Sequence, residues 1–246
     1  MPTEDVSEAD RPTEGFPTEE EPTEDRTTNH QSTEDLLDRW ETVLPGQRVM
    51  AQDLLTRYAE PHRRYHTVAH LRYVLDRIDD FAGRDHDLFL VRLAAWFHDA
   101  VYAIPEGQIS NEEASARLAF RELGRAGLEQ EDLNEVARLV RMTSTHQPPP
   151  GDRNGALLCD ADLAILGASP VAYQRYAAAI REEFAQVDDE TFWSGRLEIL
   201  GPLAESDIFR TGKGRKLIEQ AHANLLDECE SLQASLEALN ATRVQP

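Results

Sequence analysis

Apolar residues at helical spacing dominate the chain from about residue 34 onward, and this pattern restricts the fold more than any other feature. In the stretch 66–81, Leu71, Val74, Leu75 and Ile78 lie three or four positions apart, which places them on one face of a helix. Similar stretches follow along the chain, separated by breaks at proline and glycine. No convincing two-residue alternation and no Asn-Gly hairpin between apolar runs is present. The pattern predicts an all-α fold.

The N-terminal segment has a different composition from the rest of the chain. The unit Pro-Thr-Glu occurs four times before residue 25, and Val6 and Phe16 are the only bulky apolar side chains there. Such a segment cannot bury enough surface to offset its ordering entropy, so we expect a disordered acidic tail. The first helix is expected to begin at Glu34. The predicted organisation is a tail over residues 1–33, one helical domain over 34–240 and a C-terminal tail over 241–246.

The charge and composition restrict the partners. The net charge is −21, and residues 1–35 carry 12 of the 46 acidic residues, yet the remainder is also acidic. This balance disfavours a nucleic-acid polymer but not a small phosphorylated molecule bound locally. No stretch approaches the roughly 20 apolar residues of a membrane-spanning helix, and the N-terminus lacks a secretory signal. With only two cysteines and no disulfide framework, we expect a cytoplasmic protein without membrane contact. The sequence does not indicate an oligomeric state.

Histidine and aspartate residues accompany the predicted helices in a suggestive order. His66 and His70 lie four residues apart, so on a helix both would face one side. The others, in chain order, are His98, Asp99, His146, Asp160 and Asp162. Imidazole and carboxylate groups suit divalent ions, and such groups beside apolar runs are costly to bury unless something ligates them. Taken singly, each histidine is more often a core or capping residue, and each aspartate more often a helix cap.

The ordered set resembles the HD superfamily of metal-dependent phosphohydrolases, in particular an uncharacterised bacterial branch of predicted HD phosphohydrolases. The similar region spans roughly residues 60–170. Its motifs are Arg64-Tyr65-His66-x-x-x-His70, Trp96-Phe97-His98-Asp99-Ala100-Val101-Tyr102, Asn111-Glu112-Glu113-x-Ser115-Ala116 and Asp160-Ala161-Asp162-Leu163-Ala164-Ile165-Leu166-Gly167. The His-Asp dipeptide alone is unspecific, whereas the whole ordered string is fairly specific. The resemblance implies an HD-domain helical bundle.

The resemblance also implies roles for individual residues. The metal ligands would be His70, His98, Asp99 and Asp162, with Asp160 as the alternative last ligand. His66 stands where cyclic-nucleotide phosphodiesterases of the superfamily have a histidine that protonates the leaving oxygen, a task that suits a near-neutral pKa. Asp99 or Glu112 would orient the attacking water, which the metal acidifies.

One departure from the family pattern concerns the number of metal ions. Two-metal members usually have two further histidines between the His-Asp doublet and the last aspartate, and here only His146 lies in that interval. Glu112 or Glu113 could replace the missing ligand or act as a base. One tightly held ion is therefore favoured, with Mn, Fe, Zn, Co, Ni and Mg all open.

The expected activity is hydrolysis of a phosphate ester of a small molecule, such as a nucleotide or a phosphorylated metabolite. The enzyme would be a phosphomonoesterase or a phosphodiesterase. Arginine matches phosphate oxygens two at a time, and Arg64 is the first choice for that contact. Later choices are Arg181, Arg196, Arg210 and Lys213. The alternatives are an iron-dependent oxygenase of the same superfamily and a non-catalytic regulatory module that binds a metal or nucleotide.

Overall fold

The computed structural model describes the backbone of residues 26–244 and the side chains of residues 33–243. This part of the chain forms ten α-helices and two short 3₁₀ helices without a strand, which confirms the all-α prediction. The helices α1–α5 are Arg26–Val43, Arg48–Tyr58, Val68–Phe81, Leu88–Phe97 and Asn111–Arg125. The helices α6–α10 are Gln130–Met142, Arg153–Asp162, Pro170–Glu183, Asp189–Ala204 and Ile218–Val244. The 3₁₀ helices are Leu163–Gly167 and Gly214–Leu217.

The two ends of the helical region differ from the predicted boundaries. Helix α1 begins at Arg26, before the expected start at Glu34, and α10 continues to Val244, into the predicted C-terminal tail. No proline or glycine lies between Pro22 and Pro45, or between Gly214 and Pro246, so nothing in the covalent chain ends either helix earlier. The predicted tail falls largely on residues 1–25, which lie outside the described residues.

Several helices begin at a polar side chain that accepts a hydrogen bond from the first turn. These N-caps are Asp87, Ser110, Asp152, Ser169 and Asp188. Each satisfies a backbone N–H group that has no partner within its helix. The caps at Asp87 and Ser110 fix where α4 and α5 begin, and these two helices flank the loop beside the candidate site.

The helices pack around two hydrophobic clusters. The larger one gathers side chains of α1–α7, and its centre includes Trp40 and Trp96, whose rings meet edge to face at 5.0 Å. The smaller one joins α8, α9 and α10, with Phe209 and Leu225 fully buried. Burial of such apolar surface is the main driving force for this arrangement. The chain crosses from the first cluster to the second between Ala164 and Leu166, shortly after Asp162.

No single helix of residues 26–244 is long and apolar enough to cross a membrane. Two consecutive segments, Arg153–Gly167 and Pro170–Glu183, would together be long and apolar enough, but the chain bends by 104° between them.

Candidate functional site

The His98-Asp99 doublet lies immediately after the apolar helix α4, which ends at Phe97. His98 is buried, and its Nδ1 lies 2.7 Å from the carbonyl oxygen of Ala95, one turn earlier. Because Nδ1 faces that carbonyl oxygen, Nε2 is the ring nitrogen left to contact a ligand. Because α4 is buried in the larger hydrophobic cluster, the doublet is held in place at the C-terminal end of this helix. The contact with Ala95 sets the direction of the His98 imidazole.

Four side-chain atoms from three separate segments converge at this point. His70 Nε2, on α3, lies 3.1 Å from His98 Nε2 and 3.4 Å from Asp99 Oδ2. His98 Nε2 lies 3.1 Å from Asp99 Oδ2. Asp162 Oδ1, at the end of α7, lies 3.2 Å from His70 Nε2 and 3.6 Å from His98 Nε2. The structure thus brings together all four residues that the sequence predicted as metal ligands.

The spacing and the chemistry of this group fit a divalent ion. Ligand atoms held about 2.1 Å from a common ion lie roughly 3.0–3.4 Å from their neighbours, which is close to the separations seen here. His70, His98 and Asp99 in particular offer three ligand atoms within 4.8 Å of one another and could hold a metal ion. Two imidazole nitrogens with carboxylate oxygens suit Zn, Mn, Fe, Co or Ni.

The carboxylates of the group are in the form that binds a metal. Burial alone would raise the pKa of Asp99, but the neighbouring His98 and the other histidines outweigh it and hold that pKa well below its usual range. The same balance of burial against the charge of His98 lowers the pKa of Asp162. Both side chains are therefore ionised at neutral pH, as metal ligation requires.

His146 contacts the carboxylate oxygen of Asp162 that is not shared with His70 and His98. Its Nε2 lies 2.8 Å from Asp162 Oδ2. His146 follows the end of α6 with φ at 51°, in the left-handed region that non-glycine residues seldom adopt. This backbone conformation positions the ring beside Asp162, so that His146 orients a candidate ligand.

His66 was expected on the same helix as His70, but α3 begins only at Val68. The backbone N–H groups of Arg64, Tyr65 and His66 all donate to Glu183 Oε1, at 2.7, 2.8 and 2.9 Å. The hydrogen bonds of these three N–H groups are therefore made to a carboxylate distant in sequence and not within a helical turn. The rings of His66 and His70 are still neighbours, with centroids 5.5 Å apart.

Glu183 is a site residue that the sequence interpretation missed. Its side chain is buried at the end of α8, and its Oε2 lies 2.7 Å from His66 Nδ1 and accepts a hydrogen bond from the Tyr102 hydroxyl at 3.1 Å. Tyr173, Tyr176, Ile180 and Glu183 are spaced by three or four residues, so the acid lies on the apolar face of α8. An acidic residue in such a position is the signal that could have identified it.

A cavity of about 420 Å³ opens beside the group. His66, Asp99, Glu112, His146 and Asp162 all line it. Glu112 lies in the first turn of α5, and its carboxylate makes none of the hydrogen bonds or ion pairs found in the described part of the chain. The predicted catalytic residues and two of the ligands thus share one cavity.

Arg196 is the cation that lines this cavity. It is largely buried on α9, and its Nε donates to Glu228 at 2.9 Å while one Nη2 hydrogen bond reaches the Tyr176 hydroxyl at 3.0 Å. Within residues 33–243 its Nη1 makes no hydrogen bond. The guanidinium is therefore held in place by two side chains and keeps donors available for an anion.

Arg64 and Glu113 were predicted near the metal, and the structure does not bring either of them there. The Arg64 guanidinium donates to the carbonyl oxygens of Pro61 and Arg63 and is about half exposed. Glu113 pairs with Arg117 at 2.6 Å and Arg141 at 2.5 Å. Adjacent helical residues point about 100° apart, which explains why Glu112 lines the cavity and Glu113 does not.

The other predicted cations, Arg181, Arg210 and Lys213, do not line the cavity. Arg181 donates to the backbone around Phe184 and pairs with Asp189 at 2.6 Å. Lys213 contacts Asp80, and the backbone of Arg210 donates to Asp160. Arg196 is thus the member of the predicted set that lines the cavity in the described structure.

Asp160, the alternative last ligand, has a structural role. It is fully buried and accepts hydrogen bonds from the backbone N–H groups of Arg210 at 2.8 Å and Thr211 at 2.6 Å. A Cβ at Gly214 would collide with its carboxylate, so only glycine fits there. Asp160 therefore fastens the segment before α10 to α7, while Asp162, two residues later, faces the histidines.

Family models, curated proteins and solved structures were each compared with this chain, and none of them matches it. The function proposed below therefore rests on the chemistry of the site, and membership of the HD superfamily stays a prediction from the motifs.

Proposed function

We propose that the protein is a metal-dependent phosphohydrolase that cleaves a phosphate ester of a small molecule. The observation that carries this proposal is the convergence of His70, His98, Asp99 and Asp162 beside a cavity that a cation also lines. These residues come from α3, from the end of α4 and from the end of α7, and the first and last of them, His70 and Asp162, are 92 positions apart in the sequence. Buried polar groups of this kind are costly unless a ligand or ion satisfies them.

A divalent ion held by this group would supply an acidified water and would withdraw charge from a phosphoryl oxygen. A single ion is the form proposed, because His146 is the only histidine between Asp99 and Asp162 in the sequence and its Nε2 is hydrogen-bonded to Asp162 Oδ2. Proton transfer, orientation of the attacking water and binding of the phosphate are assigned to the protein's own side chains.

His66 is assigned the proton transfer to the leaving oxygen. Its Nδ1 is bonded to the Glu183 carboxylate, so its Nε2 is the atom available to a substrate in the cavity. A carboxylate that fixes the tautomer and direction of a histidine is a recurrent arrangement in general acid–base catalysis. Glu183 acts through His66 and is a positioning residue.

Asp99 and Glu112 are assigned the orientation of the attacking water, since both carboxylates line the cavity. Arg196 is assigned the phosphate, because Nη1 is free while Glu228 and Tyr176 hold the rest of the guanidinium. Fixed donors of this kind stabilise the charge that develops on a transferring phosphoryl group.

The site is tested by metal analysis of the purified wild type, His98→Ala and Asp99→Ala, after equilibration with Mn²⁺. We expect close to one ion per chain in the wild type and a large loss in both variants. The matched control is His86→Ala, whose ring contacts the Gly83 N–H in the turn before α4 and should leave metal content unchanged. Unchanged metal content in both site variants would overturn the assignment.

The activity is tested by a phosphate-release screen against small phosphate esters, with Mn, Co, Mg and Ni supplied in turn. We expect turnover that His66→Gln and His98→Ala both abolish. A flat screen despite stoichiometric metal would favour a non-catalytic binding module. Oxygen consumption by the iron-loaded protein under the same screen would favour an oxygenase.

A further inference from the structure

The lining of the cavity has two chemical characters. One part is the polar group described above, and the other is apolar. The apolar part consists of Ile104, Pro105, Ile180, Phe184 and Ile199. These residues come from the loop between α4 and α5, from the end of α8 and from α9, so three different segments place apolar side chains in the same space as the metal-binding group.

Ile199 is the most informative of these residues. It is 60% exposed, yet it lines the cavity and follows Arg196 by three positions on α9, which places both side chains on one face. A single exposed isoleucine needs no explanation elsewhere on a protein surface. Here it shares the cavity lining with the Arg196 guanidinium, the buried Ile180 and the partly buried Phe184, so apolar surface adjoins an anion-binding group.

The charges around the cavity limit the number of anionic groups that it accepts. Its lining includes one arginine, Arg196, and four acidic side chains, namely Asp99, Glu106, Glu112 and Asp162. A divalent ion and Arg196, which is itself paired with Glu228, offset at most three of these four acids. The lining therefore carries an excess of acid, and an anionic group beyond the phosphate held by the ion and Arg196 would add like-charge repulsion.

We infer that the substrate carries a single phosphate group and an apolar organic part, and that Ile199 selects for that part by contact. This inference rests on the proposed function, since it places the phosphate between the metal-binding group and Arg196. The apolar part would lie on Ile180, Phe184 and Ile199, from which it displaces water.

Binding of two phosphonates that cannot be hydrolysed tests the inference without depending on turnover. Isothermal titration of the Mn²⁺-loaded protein with phenylphosphonate and with methylphosphonate should show about tenfold or greater preference for the phenyl compound, in line with apolar pockets of this kind. The third probe, 4-phosphonobenzoate, adds a carboxylate to the same ring. We expect it to bind several-fold more weakly than phenylphosphonate.

The variant Ile199→Ser should remove most of the preference for the phenyl compound while leaving the affinity for methylphosphonate near that of the wild type. The control is Val171→Ser on α8, because Val171 is equally exposed, at 60%, and does not line the cavity. Both changes replace an exposed branched side chain, so a general effect on folding would appear in both variants.

Equal binding of the phenyl and methyl compounds, no measurable binding of either, or an equal effect of the two serine variants would overturn the inference. Tighter binding of 4-phosphonobenzoate than of phenylphosphonate would overturn the part that concerns charge. These results are distinct from failure of the proposed function, which would appear as a lack of phosphate release from any ester although phenylphosphonate still binds selectively.

Discussion

Asp162 divides its two carboxylate oxygens between His146 and His70. Oδ2 lies 2.8 Å from His146 Nε2, and Oδ1 lies 3.2 Å from His70 Nε2. His146 therefore contacts the second oxygen of a candidate ligand. Hydrogen-bonding groups of this kind orient the ligands in metal sites. The arrangement gives a physical reason why a chain with few histidines after the His98-Asp99 doublet can still build an ordered site for one ion.

Replacing His146 should weaken the metal site without destroying it. For His146→Gly we expect Mn²⁺ affinity to fall by about 10- to 100-fold, as for other groups that orient ligands. Glycine adopts the φ of 51° without strain, so the thermal midpoint of the metal-free variant should stay close to that of the wild type. Competition with a fluorescent chelator measures the affinity. Complete loss of stoichiometric binding would instead make His146 a direct ligand.

Variants of Asp160 and Asp162 should differ in their effects on stability and on metal binding. Asp160→Asn places an amide against the N–H groups of Arg210 and Thr211, so we expect a loss of about 1–3 kcal/mol in the free energy of unfolding, with metal content retained. Asp162→Asn should lose most of the metal, which distinguishes it from Asp160→Asn even though the lost contacts with the histidines also lower the stability of its metal-free fold. Urea unfolding in chelator, with metal analysis of the same samples, measures both quantities. The reverse pattern would identify Asp160 as the ligand.

Glu183 should contribute to stability in a way that depends on pH. Burial would raise its pKa, but His66 and the backbone N–H groups outweigh this and lower the pKa from 4.5 to about 2. A carboxylate with a depressed pKa stabilises the fold fully above its unfolded value, and that contribution is lost as pH falls from about 4.5 toward 2.

The variant Glu183→Gln makes this contribution measurable. We expect it to be less stable than the wild type at pH 7 by roughly 1–3 kcal/mol, because a buried charged acceptor is removed. The difference should narrow steadily below about pH 4.5, since only the wild type loses the Glu183 charge there. Urea midpoints of both metal-free proteins between pH 7 and pH 3 test this. A gap that stays constant over that range would contradict the proposed pKa.

Arg196 should affect substrate binding more than metal binding. In Arg196→Lys the charge stays but the Nη donors are lost, so we expect KM for a phosphate ester to rise about tenfold or more with metal content unchanged. Arg181→Lys is the matched control, because Arg181 is paired with Asp189 outside the cavity. Steady-state kinetics on the first ester found to be cleaved provides the measurement. Equal KM values in the two variants would remove Arg196 from the phosphate contact.

The helical spacing of the apolar residues predicted the fold class, and the resemblance of the histidine and aspartate motifs to the HD superfamily predicted which side chains would converge. The sequence did not predict Glu183, which contacts His66 from 117 residues away through the packing of α8. Nor did it separate Glu112 from Glu113, because their directions depend on the exact rotation of α5. Arg64 was favoured for its position beside His66, but closeness along the chain does not determine where a long side chain points.

Helix α9 gives the cavity Arg196 and Ile199 and contains none of the candidate metal ligands, which all belong to the segments between α3 and α7. Under the proposed function, the α9 part of the substrate contact is thus encoded apart from the candidate metal ligands. Related proteins that diverge along one turn of α9 could acquire different preferred molecules while they inherit the same reaction. Comparing that turn among future relatives would be a direct way to sort them by what they act on.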